Sequence, residues 1–463
     1  MNRIAILLFC AIIPFYTGAQ QLQQTLSVAI SQLEKDSQFS HSIISLYVVD
    51  RKTGNMIFEK NRQLGLVPAS CQKIITSASA FELLGKGYQY KTTVKIYKST
   101  DSFRLYLDGS GDPTLGSSRW ASTKMNIVYK DIHLALKKMN VSVLGSDISV
   151  IENKYDHQPI PDGWVWQDIG NYYGAGARAF NWHENQYDLV LSSGNIEGDP
   201  TEIKNFDPSS AKMPFSNYIT AGKKGSGDNA YIYASPISNE AFATGTIPPV
   251  QDRFVISGSM PDPAYVFKKG LKSYLTENGI SISQGNNINF LLQGKVPGSF
   301  ETIYTLTSPS FDSINYWFLK KSVNLFGEAF VKTIAYERSG VGSTDSGISI
   351  IKDLWSKKGI ERSALHIIDG SGLSPANRVT TNALVVIMQY AKDQQWYESF
   401  YDALPVINGI KMKDGYISGV RSYTGYIKNK SGSEYTFSFI VNNFEGNPGT
   451  VREKMWKILD LLK

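Results

Sequence analysis

A serine and a lysine three positions apart, Ser70 and Lys73, are the residues of this sequence best placed for nucleophilic chemistry. On a helix, residues three apart share a face, so the lysine amine can reach the serine hydroxyl. A serine hydroxyl attacks efficiently only when a neighbouring base takes its proton. A partly buried lysine near other cations can lose its own proton near neutral pH and serve as that base. The pair predicts acyl transfer through Ser70, and a plain helix N-cap is the alternative.

A second element offers a hydroxyl and an amide at Ser322 and Asn324, within a predicted helix over residues 310–337. A hydroxyl there can relay a proton, and an amide can hold a substrate amide. Both short patterns recur by chance, because residues 193–195 repeat this one and residues 209–212 repeat the serine–lysine motif. Without support, Ser322 and Asn324 would be ordinary surface positions of a helix. The motifs therefore count only in combination.

A third element must supply a lysine, a hydroxyl and a glycine on an edge strand. The lysine gives positive potential, the hydroxyl binds a carboxylate, and the glycine lets a substrate approach the backbone. Residues 430–432 are the closer literal match, but they fall in a predicted turn where lysine, serine and glycine are common. Lys413, Asp414 and Gly415 open the preceding strand, so we assign the element to them.

Elements at both ends of the chain must position these residues. Hydrophobic periodicity predicts, in order, a helix at 21–37, a hairpin at 43–60, a helix at 71–84, helices at 310–337, 346–359 and 381–399, a second hairpin, and a helix at 450–463. The two hairpins and their helices can form one sheet covered by helices.

The middle of the chain changes to short alternating strands with loops rich in glycine, proline and aspartate. We predict an α/β (α+β) catalytic domain from residues 20–92 and 300–463, and a mostly β inserted region at 93–299. The insertion is expected to have two parts, the inner one at about 155–262. A chain of 463 residues also exceeds one compact core.

The first nineteen residues are typical of a signal peptide. Arg3 precedes an apolar run over 4–16 that is too short to span a bilayer comfortably, and residues 17–19 are small. Cleavage after Ala19 would remove one of the two cysteines and leave Cys71, without an internal disulfide. We expect a periplasmic protein with no stable membrane insertion after cleavage, and an uncleaved anchor is the alternative.

Other chemistries have little support in the sequence. A net charge of +6 without a run of five basic residues argues against nucleic-acid binding. The five histidines are dispersed, and neither H-E-x-x-H nor a cysteine pair marks a metal site. There is no P-loop or complete dinucleotide fingerprint, so we expect no metal and no cofactor. Cys71 adjoins the nucleophile but should point about 100° away from it on a helix, so we expect it to pack.

The ordered motifs Ser-x-x-Lys, Ser-x-Asn and Lys-x-Gly are the signature of penicillin-binding proteins and class A β-lactamases. With them in place, the chain resembles the D-alanyl-D-alanine carboxypeptidase/endopeptidase family, the class C low-molecular-mass penicillin-binding proteins. The 252 residues from Ser70 to Ser322 resemble the long insertion of this family and are too many for a compact β-lactamase. Segments that resemble the family are PASCQK (68–73), GSGDPTL (109–115), DGWVWQDIGNYYGA (162–175), FNWHEN (180–185), GTIPP (245–249), PDPA (261–264), IIDGSGLSPANRVT (367–380) and GVRSYTGYI (419–427).

The resemblance implies a penicillin-binding transpeptidase/β-lactamase-like domain that attacks D-Ala–D-Ala bonds or D-Ala–diaminopimelate crosslinks of peptidoglycan peptides. It implies an acyl-enzyme at Ser70 with Lys73 as base, and β-lactam antibiotics as covalent inhibitors. The other implied roles are a proton relay and peptide grip at Ser322 and Asn324, positive potential at Lys413, and an oxyanion hole from the backbone N–H groups of Ser70 and Tyr416. Asp168 would recognise a substrate amine, and a loop-capping aspartate is the alternative for it.

Two positions depart from the family pattern. Asp414 stands where the family has Thr or Ser, and an ionised carboxylate there would repel the terminal carboxylate of a substrate, at a cost on the order of a few kcal/mol. Lys411 and Arg421 are the nearby cations that would offset it. Pro375 replaces an arginine of many relatives. We expect acylation to survive, with altered or weak carboxypeptidase activity.

Two alternative functions stay open. A catalytically weak or inactive peptidoglycan-binding protein is favoured by Asp414 and opposed by the intact Ser70 and Lys73. A β-lactamase would need an efficient base for deacylation, which the sequence does not identify. Labelled penicillin and a chromogenic cephalosporin would distinguish these possibilities.

Overall fold

A computed structural model describes residues 18–98, 103–238, 240–283 and 300–463. The predicted signal peptide therefore lies outside the described residues, except for its last two positions. The helices are α1 Gly18–Glu34, α2 Lys73–Leu84, α3 Met125–Lys138, α4 Trp166–Ile169, α5 Pro263–Glu277, α6 Phe311–Lys320, α7 Asn324–Ser339, α8 Thr344–Lys357, α9 Thr381–Ala391, α10 Tyr397–Ala403 and α11 Pro448–Asp460. The strands are β1 Ile43–Asp50, β2 Met56–Lys60, β3 Lys91–Lys98, β4 Phe103–Asp108, β5 Val143–Leu144, β6 Ser149–Ile151, β7 Gln186–Ser193, β8 Thr201–Asp207, β9 Phe215–Ala221, β10 Asn229–Ala234, β11 Ala241–Ile247, β12 Phe254–Ser259, β13 Ser281–Ile282, β14 Phe300–Thr307, β15 Leu365–His366, β16 Arg378–Val379, β17 Val406–Ile407, β18 Ile410–Ile417, β19 Val420–Lys428 and β20 Glu434–Asn442.

Strands from both ends of the chain form one antiparallel sheet, in the order β17-β18-β19-β20-β1-β2. Strand β1 pairs with β20 along its whole length, from Ile43 opposite Asn442 to Asp50 opposite Tyr435. Eight of the nine residues of β20 are buried, as expected for a central strand with both faces covered. The prediction of one sheet from the first and last hairpins is confirmed.

Helices cover both faces of this sheet. On one face, α1 and α11 contribute Leu26, Ile30 and Met455 to a core shared with the strands. On the other face, helices α2 and α6–α10 build a larger core around Phe330 and Trp355. The segment that carries Ser70 and Lys73 enters this second core through Cys71 and Ile74, so it is held between the sheet and the helices.

The described residues between α2 and α6 form three further sheets. One has the order β13-β5-β4-β3-β14, with β6 beside β4, and two have three strands each, β10-β11-β9 and β12-β7-β8. One hydrophobic core joins them, with α3 and α5 packed on it. The predicted α/β class with a mostly β insertion is confirmed. Its domain boundaries stay a prediction, which the pairing of β3 with β14 at the ends of this region supports.

Three predicted helices differ from the structure. The predicted helix 310–337 is two helices, α6 and α7, because Ser322 between them takes a left-handed φ of 57°. Apolar positions continue through the break, so periodicity alone could not locate it. The helix predicted at 71–84 begins at Lys73, after a 3₁₀ turn over Ala69–Gln72. The helix predicted at 381–399 ends at Ala391, and α10 follows.

Within the described residues, no helix combines the length and the apolar character that crossing a membrane requires.

Candidate active site

Ser70 and Lys73 meet where the 3₁₀ turn leads into α2. The Lys73 Nζ atom lies 3.0 Å from Ser70 Oγ, so the predicted contact is present. Ala69, just before the serine, has a left-handed φ of 45°. Non-glycine residues adopt this conformation rarely, and such backbone strain persists only where the surrounding packing enforces it.

The Lys73 amine is fully buried and has three hydrogen-bond acceptors. Besides Ser70 Oγ, it bonds Asn324 Oδ1 and the carbonyl oxygen of Ser371, each at 2.7 Å. Burial lowers the pKa of Lys73 to about 7, and the nearby charge of Lys413 acts in the same direction. A substantial fraction of the amine is therefore neutral at physiological pH, which is the state that a general base requires.

Asn324, the first residue of α7, links this amine to the inserted region. Its Oδ1 accepts from Lys73, and its Nδ2 donates to the carbonyl oxygen of Tyr173 at 2.8 Å. Both amide atoms are thus used within the protein, where the sequence predicted a grip on the substrate. Ser322 lines the same cleft as Ser70, at the break between α6 and α7 and not on a continuous helix.

Lys413 and Asp414 lie on β18 and pair with each other. The buried Lys413 amine donates to Asp414 Oδ1 at 2.9 Å and to the carbonyl oxygen of Asp414 at 2.7 Å. Burial tends to raise the pKa of the Asp414 carboxyl, but Lys413 and then Arg421 outweigh it and hold the pKa below its usual value. Lys411 donates instead to backbone carbonyls at residues 401, 402 and 404. Of the two cations expected to offset the charge, only Arg421 contributes here, and the main partner is Lys413.

Gly415 brings the edge of β18 against the nucleophile turn. A Cβ atom at this position would lie 2.8 Å from the backbone nitrogen of Ser70 and 2.7 Å from the carbonyl oxygen of Pro68. Only glycine permits this approach. The next residue, Tyr416, lines the cleft together with Ser70.

Cys71 faces away from the cleft. It is buried, and its Sγ donates to the carbonyl oxygen of Lys413 at 3.2 Å. Burial raises the pKa of the thiol to about 11, so the reactive thiolate is scarce at neutral pH. The predicted packing role is confirmed.

Asp369 holds the loop behind the nucleophile, and sequence reasoning missed this role. It is fully buried, and its carboxylate accepts five hydrogen bonds of 2.7–3.0 Å, from Gln72 Nε2, Trp164 Nε1, Asn377 Nδ2 and the backbone N–H groups of Gly372 and Ser374. The loop carries the Ser371 carbonyl that accepts from Lys73. The turn-forming sequence Asp-Gly-Ser-Gly was a signal for such a loop, but not for its partners.

Glu328 is a second buried acid that sequence reasoning missed. It lies one turn after Asn324 on α7, and its Oε2 accepts from the backbone N–H of Gly370 at 2.9 Å. Burial and the neighbouring charge of Asp369 raise the pKa of its carboxyl well above the ordinary range. The carboxyl therefore tends to stay protonated, which limits the negative charge near Lys73.

A cleft of about 730 Å³ opens onto these residues. Of the residues proposed from sequence, it is lined by Ser70, Asp168, Ser322, Asn324, Pro375 and Tyr416. Asp168 lies on α4, and burial raises the pKa of its carboxyl, while Tyr173 partly opposes this. Lys413 and Asp414 are not among the lining residues. The described part of the chain contains no cluster of three or more His, Cys, Asp or Glu that could hold a metal ion.

Known proteins match nearly the whole chain. The model of the D-Ala-D-Ala carboxypeptidase 3 (S13) family matches residues 26–409. The chain is 25% identical to a D-alanyl-D-alanine carboxypeptidase of Actinomadura sp. (strain R39), over 90% of this chain and 81% of that protein. It is 24% identical to a penicillin-sensitive carboxypeptidase A of Dictyostelium discoideum, over 87% and 82% respectively.

A solved structure has the same fold. Penicillin binding protein 4 (dacB) from Haemophilus influenzae superimposes with a TM-score of 0.76 and 16% identity, over 97% of this chain and 100% of that chain. The penicillin-binding fold implied by the sequence resemblance is thereby confirmed. Since the family model covers most of its length, the chain belongs to the D-Ala-D-Ala carboxypeptidase 3 (S13) family, whose members are hydrolases.

Proposed function

We propose that the protein is a penicillin-sensitive serine D-Ala-D-Ala carboxypeptidase and endopeptidase that acts on peptidoglycan peptides through an acyl-enzyme at Ser70. The observation that carries the proposal is the 3.0 Å contact of Ser70 Oγ with the Lys73 amine, whose pKa is about 7. The contact lies at a cleft large enough for a peptide.

Acylation begins when neutral Lys73 takes the proton of the Ser70 hydroxyl. The Ser70 oxygen attacks the carbonyl carbon of the penultimate D-alanine, and the backbone N–H groups of Ser70 and Tyr416 stabilise the oxyanion. Each such donor contributes roughly 3 kcal/mol. The C–N bond then breaks, and the leaving amine receives the proton from Lys73 by way of the Ser322 hydroxyl. The peptide remains as an ester on Ser70.

Deacylation reverses these roles with water as nucleophile. Lys73 takes a proton from the water, and the water oxygen forms a bond to the ester carbonyl carbon. The ester C–O bond then breaks, Lys73 returns the proton to the Ser70 oxygen, and the peptide leaves as a free acid. A β-lactam would open its ring amide in the first step, but its leaving group would stay tethered and the ester would persist. The penicillin-sensitive relative from Dictyostelium discoideum and the Haemophilus influenzae protein 4 structure complexed with a β-lactam support this extension.

A peptidoglycan-binding protein with little turnover is the second candidate. The ion pair of Lys413 and Asp414 favours it. A substrate carboxylate would need a free cation, but the Lys413 amine is already paired with the Asp414 carboxylate. The intact hydrogen-bonded network of Ser70, Lys73 and Asn324 favours the enzyme.

Covalent labelling with fluorescent penicillin, read by intact mass, tests the proposal. We expect one adduct per chain, its loss in Ser70→Ala, and its retention in Ser209→Ala, which alters the other Ser-x-x-Lys motif. A folded wild-type protein without an adduct would contradict the enzyme and support the binding protein. Sustained hydrolysis of a chromogenic cephalosporin would indicate a β-lactamase instead.

We also propose export to the periplasm with removal of residues 1–19. The expected outcome is a periplasmic protein whose measured mass corresponds to a chain that begins at Gln20. A full-length chain retained in the membrane fraction would indicate the uncleaved anchor.

A further inference from the structure

The small sheet β10-β11-β9 has one face against the core and one face open to solvent. Side chains alternate along each strand, and Ile219, Ile232 and Ala243 are buried on the inner face. The strand register places nine residues together on the open face, namely Ser216, Tyr218, Thr220, Asn229, Tyr231, Tyr233, Phe242, Thr244 and Thr246.

This open face contains aromatic and uncharged polar side chains only. Four of the nine residues are aromatic and the other five are serine, threonine or asparagine, so Asp, Glu, Lys, Arg and His are all missing from these positions. A soluble surface is kept in solution by charged residues, at about 25–35% of positions in designed proteins. A face of nine positions without one is suited to a neutral ligand.

Three aromatic rings on this side of the sheet lie in a row, those of Trp166, Tyr233 and Phe242. Tyr233 and Phe242 stack with their centroids 4.9 Å apart, and Trp166 of α4 lies 5.9 Å from Tyr233. Three aromatic side chains on this side are accessible, since Tyr218 is 65% exposed, Trp166 52% and Tyr231 38%. We call Trp166, Tyr218, Tyr231, Tyr233 and Phe242 the aromatic face.

The aromatic face is continuous with the catalytic cleft. Tyr231 lines the cleft together with Ser70, and so does Gln167, the neighbour of Trp166. The turn after α4 is tied to β10, because Asn171 Oδ1 accepts from the backbone N–H of Ile232 at 3.0 Å. A ligand on this face would therefore reach the cleft along a fixed surface.

We propose that the aromatic face binds the glycan strand of peptidoglycan, a polymer of N-acetylated amino sugars, while the attached peptide enters the cleft. The inference rests on the proposed function, because it requires a peptide substrate at Ser70. A sugar ring presents an apolar C–H face that packs on aromatic rings, and its hydroxyl and acetamido groups bond side chains such as those of Ser216 and Asn229. A peptide of about four residues spans roughly 13 Å, so the glycan must lie near the cleft.

Titration with a peptide-free oligosaccharide, the β-1,4-linked hexamer of N-acetylglucosamine, tests this inference by tryptophan fluorescence and calorimetry. We expect saturable binding by the wild type, and binding about tenfold weaker for Trp166→Ala and for Tyr218→Ala, since one well-placed aromatic anchor commonly contributes that much. Tyr304→Ala is the matched control, because Tyr304 is a tyrosine of β14 that is 37% exposed, similar to Tyr231. It should leave both sugar binding and penicillin acylation unchanged.

Each other outcome identifies which proposal fails. Normal penicillin acylation without oligosaccharide binding would overturn the glycan inference and leave the proposed function intact. Binding that is equally tight in Trp166→Ala and Tyr218→Ala, with unchanged melting temperatures, would overturn it as well. Self-association that Tyr218→Ala abolishes, without sugar binding, would assign the face to a second copy of the chain. Sugar binding without acylation would instead overturn the proposed function.

Discussion

Lys73 has the properties of a base because the influences that favour its neutral amine outweigh those that favour the ammonium. Burial and the charge of Lys413 favour the neutral amine, while Asp369, Glu328 and Asp414 favour the ammonium, Glu328 only to the extent that its carboxyl is ionised. The resulting pKa of about 7 lies where a general base is most effective. The sequence predicted the partner serine and the lowered pKa, but Glu328 and Asp369 lie 255 or more positions along the chain, and only the folded structure brings them near.

The pH dependence of penicillin acylation should report this balance. The rate should rise with pH through about 7 and then level off, because the reactive amine is the deprotonated form. Lys413→Met removes a positive charge that lowers the pKa of Lys73, so the midpoint should move to higher pH. Lys411→Met, on the same strand but bonded to remote carbonyls, is the control and should leave the midpoint in place. A rate independent of pH between 6 and 8 would indicate another base.

Asp414 should limit recognition of a substrate carboxylate. Its lowered pKa keeps the carboxyl ionised at neutral pH, so its charge repels an anionic substrate. The same carboxylate forms an ion pair with Lys413, which is then less able to bind the substrate. We expect Asp414→Thr to raise kcat/KM for a D-Ala–D-Ala peptide about tenfold, which corresponds to about 1.4 kcal/mol. The comparison with Asp414→Asn separates the two causes, because that variant removes the charge and supplies no hydroxyl. If neither variant gains activity, the substrate carboxylate binds elsewhere.

At the scale of elements, the site depends on a strand edge and a loop, which approach the turn that holds Ser70 from two sides. The edge of β18 approaches through Gly415, and the loop of Asp369 approaches through Gly372. A Cβ on Gly372 would lie 2.0 Å from the carbonyl oxygen of Ala69, and its φ of 81° is left-handed. These contacts fix the turn that holds Ser70, so stability and reactivity are coupled here.

Gly372→Ala should therefore destabilise the protein and slow acylation. The left-handed φ alone costs about 1 kcal/mol, and the clash adds about 1–3 kcal/mol in a packed site. Gly432→Ala is a matched control, because Gly432 has a φ of 91° and a Cβ there meets no atom within 4 Å. Denaturant unfolding of both variants measures the difference. An equal loss of stability in the two would mean that the approach to Ala69 is not tight.

The elements themselves were predicted to different degrees. Long periodic segments such as α1 and the hairpin strands were located correctly, because burial of one face imposes the periodicity. The break at Ser322 was missed, since it depends on a left-handed backbone conformation that serine adopts rarely and that the sequence pattern does not indicate. The shared sheet of the first and last hairpins was predicted, because each hairpin must bury an apolar face, but the pairing of β1 with β20 came only from the structure.

At the scale of the whole molecule, the described residues between α2 and α6 help to build the candidate active site. Trp164 donates to Asp369 from 205 positions away, and the Tyr173 carbonyl accepts from Asn324 across 151 positions. Sequence reasoning gave the insertion one role, the acid Asp168 at the mouth. Contacts between residues so far apart have no local signature, so they could not be read from spacing.

Removal of one of these contacts should affect catalysis as well as stability. Trp164→Phe deletes the indole N–H that donates to Asp369 but keeps an aromatic ring in place. A hydrogen bond to a buried charge contributes about 1.5–3 kcal/mol, so we expect a loss of that size in the free energy of unfolding. The loop that carries the Ser371 carbonyl should loosen, and penicillin acylation should slow several-fold. Denaturant unfolding and the second-order rate of acylation measure the two effects.

Trp120→Phe distinguishes a specific role of the insertion from general stabilisation. Trp120 also connects the insertion to the catalytic helices, through an indole N–H bonded to Ser313 Oγ at 2.9 Å, but its partner is uncharged and outside the network of Lys73. We expect a smaller loss of stability, about 0.5–1.5 kcal/mol, and an unchanged acylation rate. If acylation slows in both variants in proportion to their loss of unfolding free energy, the insertion only stabilises the fold in general. If only Trp164→Phe slows it, the insertion sets the geometry of the base.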